Sequence, residues 1–169
     1  MKVIDNFLED SVFSSLQDKF LSPNVCWHFV PFTDGDNKNN DQFFFGHNLY
    51  INHSWVSSLS KDLSPLIAKI NPMAVHMIRA NLMTKSERHI ESEFHSDLDE
   101  NSPTADKINL WTTAIFYIND CNGYTKLEDG TVIESKANRL LTFSSDIKHL
   151  GATCTDEKRR VLINLNYIT

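Results

Sequence analysis

The sequence predicts a mainly β domain with supporting helices, in which two N-terminal α-helices pack on one sheet of a β-sandwich or jelly roll. Three observations carry this. Apolar residues recur at helical spacing in two stretches before residue 72. From Met73 onward the texture changes to short alternating stretches rich in β-branched and aromatic residues. Asn122-Gly123 and Asp129-Gly130 stand among those stretches as hairpin-type turn dipeptides. Helices followed by a run of mostly antiparallel strands is the pattern of helices covering one face of a sheet.

In chain order, the first helix is expected over Asp5–Leu21, with Phe7, Leu8, Val12, Phe13, Leu16 and Phe20 on its apolar side and Asp10 or Ser11 as cap. Cys26–Pro31 is a short strand candidate, and the polar stretch Thr33–Gln42 after it is a candidate mobile loop. A second helix is expected over Ser54–Ile70, with a kink or break at Pro65. Strands are expected over Met73–Thr84, Arg88–Asp97, Asn109–Asn119, Tyr124–Glu128, Thr131–Glu134, Arg139–Phe143 and Arg160–Ile168. Thr33–Gln42 and Leu98–Lys107 are the candidate lids over a barrel mouth.

At 169 residues the chain suits one domain, with residues 1–72 as supporting helices and strands and 73–169 as the jelly-roll core. A net charge of −6 argues against broad, charge-driven binding to nucleic acid, without removing the case for a local basic patch. Three scattered cysteines, Cys26, Cys121 and Cys154, fit neither a disulfide framework nor a zinc ribbon and read as buried, inert thiols of a reducing cytoplasm. The opening MKVIDNFLED lacks the pattern of a secretion signal, and no apolar run approaches the roughly 20 residues of a membrane span. Seven histidines in an acidic chain are left to explain.

Arg88–Asp97 reads R-H-I-E-S-E-F-H-S-D. On a strand, His89, Glu91, Glu93, His95 and Asp97 share one face. That face is either a solvated edge or a polar face turned into a barrel. His95-Ser96-Asp97 puts an imidazole and a carboxylate at the spacing that lets both grip one cation from the same side. His89 and Glu91 form a decoy pair of the same kind. Downstream, His149 follows a strand and a short turn, and Lys158-Arg159-Arg160 opens the last strand. A site that uses an organic diacid needs a cation for the far carboxylate, and the guanidinium fork suits that task. Alternation separates the two arginines: Val161, Ile163, Leu165 and Tyr167 form an apolar outer face, which turns Arg160, Leu162, Asn164 and Asn166 inward.

H95-S-D97, then His149 54 positions beyond His95, then Arg160 11 beyond that, together with W-T-T-A-I-F-Y-I-N, N-G-Y-T and N-R-L-L-T-F, make Met73–Thr169 resemble the Fe(II)/2-oxoglutarate-dependent oxygenases. Within them the resemblance is to the prolyl-4-hydroxylase-like branch and to small stand-alone oxygenases of marine bacteriophages. It implies a double-stranded β-helix, the jelly-roll or cupin-like barrel. It implies Fe(II) held by His95, Asp97 and His149 as the catalytic centre, with 2-oxoglutarate as cosubstrate and O2 as oxidant. Arg160 matches the residue that pairs with the distal carboxylate of 2-oxoglutarate, and Tyr117 matches one whose hydroxyl bonds the same group. Thr113 shares a face with Tyr117 and is its expected neighbour at the cosubstrate. On Met73–Thr84 the inward set is Arg79, Asn81 and Met83. Several relatives carry a Tyr where Met83 stands here, and Asn81 is the replacement donor to the cosubstrate. Arg79, Met83 and Asn166 are the expected substrate contacts.

The implied reaction hydroxylates an unactivated C–H bond, of a peptidyl proline or another amino-acid-type substrate, with release of succinate and CO2. The implied setting is the cytoplasm, of the host cell for a phage-encoded protein, with a peptide or small-molecule substrate and no membrane. Two other readings stand beside it: a cupin-like metalloenzyme without 2-oxoglutarate, which has no need of Arg160, and a non-catalytic jelly-roll module, in which His95, Asp97 and His149 do not converge. His28, His47, His53 and His76, Trp27, Trp55 and Trp111, and Gly123 and Gly130 read as ordinary surface, packing and turn residues.

Overall fold

The computed structural model describes residues 1–31, 43–98 and 105–169. The two expected lid segments therefore fall largely outside the described residues. The main sheet runs in the order β1 (Lys2–Ile4), β9 (Arg139–Ser144), β6 (Thr112–Tyr117), β11 (Arg159–Ile168), β5 (Ala74–Thr84), β3 (Phe43–Ile51), β2 (His28–Pro31), with the short β4 (Ser54–Trp55) on β3. A smaller sheet runs β10 (His149–Gly151), β7 (Cys121–Leu127), β8 (Val132–Ser135). Every pairing is antiparallel. This is the expected jelly roll.

Alternation along the central strands creates two cores. Val161, Ile163, Leu165 and Tyr167 of β11 join Ala114 and Phe116 of β6 and Ile78 and Ala80 of β5 on one face. Helix α1 (Asp10–Leu21) covers that face with Phe13, Leu16 and Phe20, and α2 (Ser64–Ile70) adds Leu66. On the other face Leu162, Ile115 and Tyr117 meet Leu127 and Ile133 of the smaller sheet. The outward set of β11 is thus sealed by helices, and its inward set faces the barrel.

Several boundaries differ from expectation, each for a local reason. Residues 5–8 are not helical: Asn6 is left-handed at φ 51°, and Asn138 binds Leu8 twice, accepting from its N–H and donating to its carbonyl. Phe7 and Leu8 still enter the core, from a pinned turn. The second helix is a 3-10 turn, Ser58–Leu63, followed by α2, and Pro65 lies in the first turn of α2, where its missing N–H costs nothing. Strands β1, β3, β4 and β10 lie where no strand is expected. Asn122-Gly123 is no turn: it lies inside β7 at a bulge, while Gly130 takes the expected turn with φ 88°. Arg88–Asp97 is not a strand; it has isolated bridges from His95 to His149 of β10 and from Glu91 to Ala152 just beyond it. Cys121 and Cys154 are buried, but Cys26 is exposed. No described helix is long and apolar enough to cross a membrane.

Candidate active site

His95 and His149 are placed by one backbone bridge, in which each N–H donates to the other's carbonyl at 3.0 Å. Their rings stand 4.7 Å apart, and Phe143 packs edge-on against His149. The Glu93 carbonyl takes His95 Nδ1, which leaves Nε2 turned toward Asp97. Asp97 Oδ1 lies 4.0 Å from His95 Nε2 and 3.9 Å from His149 Nε2. One donor atom from each residue falls within 4.8 Å of the others, the only such His/Cys/Asp/Glu group among the described residues. Burial alone raises the Asp97 carboxyl, but the two imidazoles and two amide donors outweigh it and hold it below its ordinary value. Burial pushes His149 down, toward the neutral imidazole that a metal requires. The donor set of two imidazoles and one carboxylate fits a non-haem Fe(II) centre with open positions.

The amide donors are Asn164 and Asn166 of β11, at 2.9 and 3.1 Å from Asp97 Oδ2. Asn166 is fully buried and also donates to Thr113 Oγ1. It therefore backs Asp97 and does not line the cleft, and Thr113 stands behind it, bonded to Ser145.

Four residues before Asn164 on the same face lies Arg160, 0 % exposed. Its Nε donates to Ser135 Oγ at 2.6 Å, one terminal nitrogen donates to Thr125 Oγ1 at 3.0 Å, and the other points at Met83 Sδ at 3.5 Å. No carboxylate among the described residues pairs with it, and burial pulls its pKa down. A buried guanidinium with only neutral partners is an anion site in waiting. Tyr117 donates to Thr125 at 2.9 Å, so it stands behind Thr125, which bonds Arg160 and itself lines the cavity. Gly123 makes room for Arg160, since a Cβ there would fall 2.6 Å from Arg160 Cδ. Arg159, the rival cation, is turned to the helix side and donates to the Leu21 carbonyl.

Asn81, Arg79 and Met83 line the same cleft of about 60 Å³ as His95, Asp97, His149 and Arg160. Arg79 donates to Asn81 Oδ1 and lies over the Phe44 ring. Met83 and Phe44 also border an adjoining cavity of about 240 Å³, which Phe43 and Ile90 help to line. The decoy pair is occupied elsewhere: His89 bonds the Thr153 carbonyl, and Glu91 accepts from Tyr124, whose hydroxyl is pushed up to about 12 by that bond. Arg139 lies away from the cleft and binds Asp5. Asn164, Thr125 and Ser135 were not singled out from sequence. The signal for Asn164 was its place on the inward face of β11; Thr125 and Ser135 are brought to Arg160 by pairing within the smaller sheet, which alternation alone does not disclose.

No family model matches the sequence, and no curated protein matches it. Solved structures do. A 2OG-Fe(II) oxygenase family oxidoreductase of Burkholderia pseudomallei superposes with a TM-score of 0.63 at 12% identity, over 93% of this chain and 78% of that one. The chain has the fold of the 2-oxoglutarate oxygenases. A Trichoplax adhaerens prolyl hydroxylase, solved with a hypoxia-inducible-factor peptide, gives 0.62 at 18% identity, over 99% of this chain and 82% of that one. The α-ketoglutarate-dependent epimerase SnoN of nogalamycin biosynthesis gives 0.65 at 12% identity, over 98% and 75%.

Proposed function

We propose that the protein is an Fe(II)- and 2-oxoglutarate-dependent oxygenase. Its substrate is a peptidyl proline or another amino-acid-type molecule, hydroxylated at an unactivated C–H bond. One observation carries this: Arg160, buried without a carboxylate partner among the described residues, opens on the cleft that holds His95, Asp97 and His149. A metalloenzyme without 2-oxoglutarate has no use for that cation, and a binding module has no use for the converged ligands.

His95 Nε2, Asp97 Oδ1 and His149 Nε2 would hold the metal. Arg160, Thr125 and Ser135 would take the far carboxylate of the cosubstrate. The strand between Arg160 and Asn164 spans roughly 13 Å at about 3.3 Å per residue, room for a five-carbon diacid between anchor and metal. When bound, iron, 2-oxoglutarate and O2 supply a C–H oxidation coupled to decarboxylation to succinate and CO2. The chain's own part is to anchor, orient and keep water out. Arg79 and Met83, with the cavity bordered by Phe43, Phe44 and Ile90, would receive the substrate. The net charge of −6 supports a substrate other than nucleic acid.

Anaerobic addition of Fe(II) and 2-oxoglutarate tests the reading. Wild type should develop a weak visible charge-transfer band, and Arg160→Ala should need far more 2-oxoglutarate to reach it. Absence of the band from wild type, or unchanged 2-oxoglutarate affinity in Arg160→Ala, overturns the reading.

A further inference from the structure

Asp97 comes from a stretch that is not a strand, yet both atoms that donate to its Oδ2 come from a strand paired on both sides. Asn164 and Asn166 sit two apart on one face of β11, 4 % and 0 % exposed. The strand beneath them is bonded to β5 on one side and β6 on the other. Asn166 is fixed further by its second bond, to Thr113 at 3.0 Å. The spacing of the two amides is therefore set by the sheet and does not follow Asp97.

The same two side chains carry an unusual cost. Asn164 Oδ1 and Asn166 Oδ1 are buried and have no hydrogen-bond partner among the described residues. Leaving a buried carbonyl unmet is unfavourable, and an amide flip to relieve it would put a carbonyl against the Asp97 carboxylate. The orientation seen is the one that serves Asp97. An amide is also neutral at every pH, so it can crowd the carboxylate without competing with a cation for it. A lysine there would replace the metal's charge, and a second acid would repel the first.

We infer that Asn164 and Asn166 are positioning residues that hold Asp97 as a one-oxygen ligand. Both amides occupy Oδ2, and Oδ1, which faces His95 Nε2 and His149 Nε2 at 4.0 and 3.9 Å, is the oxygen left for the metal. A carboxylate free to turn could offer both oxygens and close a coordination position that the cosubstrate needs. This inference rests on the metal centre proposed above and adds to it the way Asp97 is presented.

Co(II) is the probe, because its visible absorption reports coordination number. The full chain and its variants are titrated with Co(II) by calorimetry and absorption, with circular dichroism of the metal-free protein as the check on folding. Asn164→Leu should bind Co(II) about 10–100-fold more weakly, the range for loss of an outer partner of a metal ligand. Its visible spectrum should also shift toward higher coordination. Asn166→Leu should do the same; where burial makes that variant unfold, Asn164→Leu carries the test. Leu162→Ala opens a void on the same face of the same strand but removes neither amide bond to Asp97, and it should keep the wild-type spectrum. Binding by Asn164→Leu within about twofold of wild type with an unchanged spectrum overturns the inference. An equal spectral change in Leu162→Ala overturns it too, by showing a general loosening. Failure of wild type to bind Co(II) removes the metal centre itself, and this inference with it.

Discussion

Strand β11 and the stretch 88–98 supply the two sides of one site, and they are built in opposite ways. β11 is bonded to a neighbour on each side, and all but its first and last residues are buried. The stretch 88–98 has isolated bridges at Glu91 and His95 and otherwise side-chain ties: Ser92 Oγ accepts from the Gly151 N–H, and Ser96 Oγ donates to the Ser145 carbonyl. The doubly paired element carries the proposed anchor and the amides; the irregular one carries two of the three proposed ligands. Irregular backbone can bring His95 and Asp97 to one point without the flatness a sheet imposes. The sheet then corrects the aim from behind.

The comparison breaks most visibly at the ligands. His149→Ala and His95→Ala should each abolish the rise in melting temperature that metal gives, a stabilisation of about 4 kcal/mol at a thousandfold excess over Kd. Thermal melts with and without Co(II) check this, and persistence of the rise in either variant removes that residue from the centre. Next in size is the anchor. Arg160→Met should weaken 2-oxoglutarate by roughly 1.5–3 kcal/mol, the worth of hydrogen bonds to a charged group, while leaving Co(II) affinity nearly intact. Titration of 2-oxoglutarate into the metal-loaded protein reads it, and equal losses of both ligands would mean the two ends of β11 are not separable.

A smaller change sharpens the contrast of stiffness. Ser92→Ala should cost about 0.5–1.5 kcal/mol for each of the two hydrogen bonds of its hydroxyl, from the Gly151 N–H and to the Glu93 carbonyl. Its amide exchange should rise at His95 and His149 but not along β11; a rise spread over β11 would make the two regions one unit. The smallest effect lies far from the site, where β1 is tied to β9. The Arg139 hydrogen bond, then that of Lys136, hold the Asp5 carboxyl well below the usual carboxylate range. A depressed folded pKa stabilises the protein above the unfolded value near 4 and loses that contribution as pH falls through the folded value. The pair is partly exposed and screened, so Asp5→Asn should cost less than about 1 kcal/mol at pH 7. Urea titrations at pH 7 and pH 2 should find the difference between the two proteins shrinking at the lower pH.

Where alternation is strong, the sequence was readable. β5 and β11 begin and end within one residue of expectation, and the same alternation chose Arg160 over Arg159. His95 and Asp97 converge as their spacing implied, although the segment is not a strand: two residues on a locally extended chain need no ladder to point the same way. β3 was hidden because Phe43-Phe44-Phe45 shows no period, its faces being taken by an outer aromatic cluster and the cleft. β1 was hidden because Lys2–Ile4 is exposed and holds to β9 through backbone alone. Gly123 read as a turn because its real purpose, space for a side chain 37 residues later in the chain, is a tertiary fact.

Arg160, Leu162, Asn164 and Asn166 all occupy one face of one strand, with the helix-covered core on the other. A slip of β11 by a single residue would exchange the two faces, driving a guanidinium and two amides into the oily side and stranding valine and isoleucine in the cleft. Correct assembly of the fold and correct assembly of the site are thus the same event. Any one-residue insertion or deletion inside this strand is expected to be lost from a population of variants as a folding failure before its chemistry could ever be assayed.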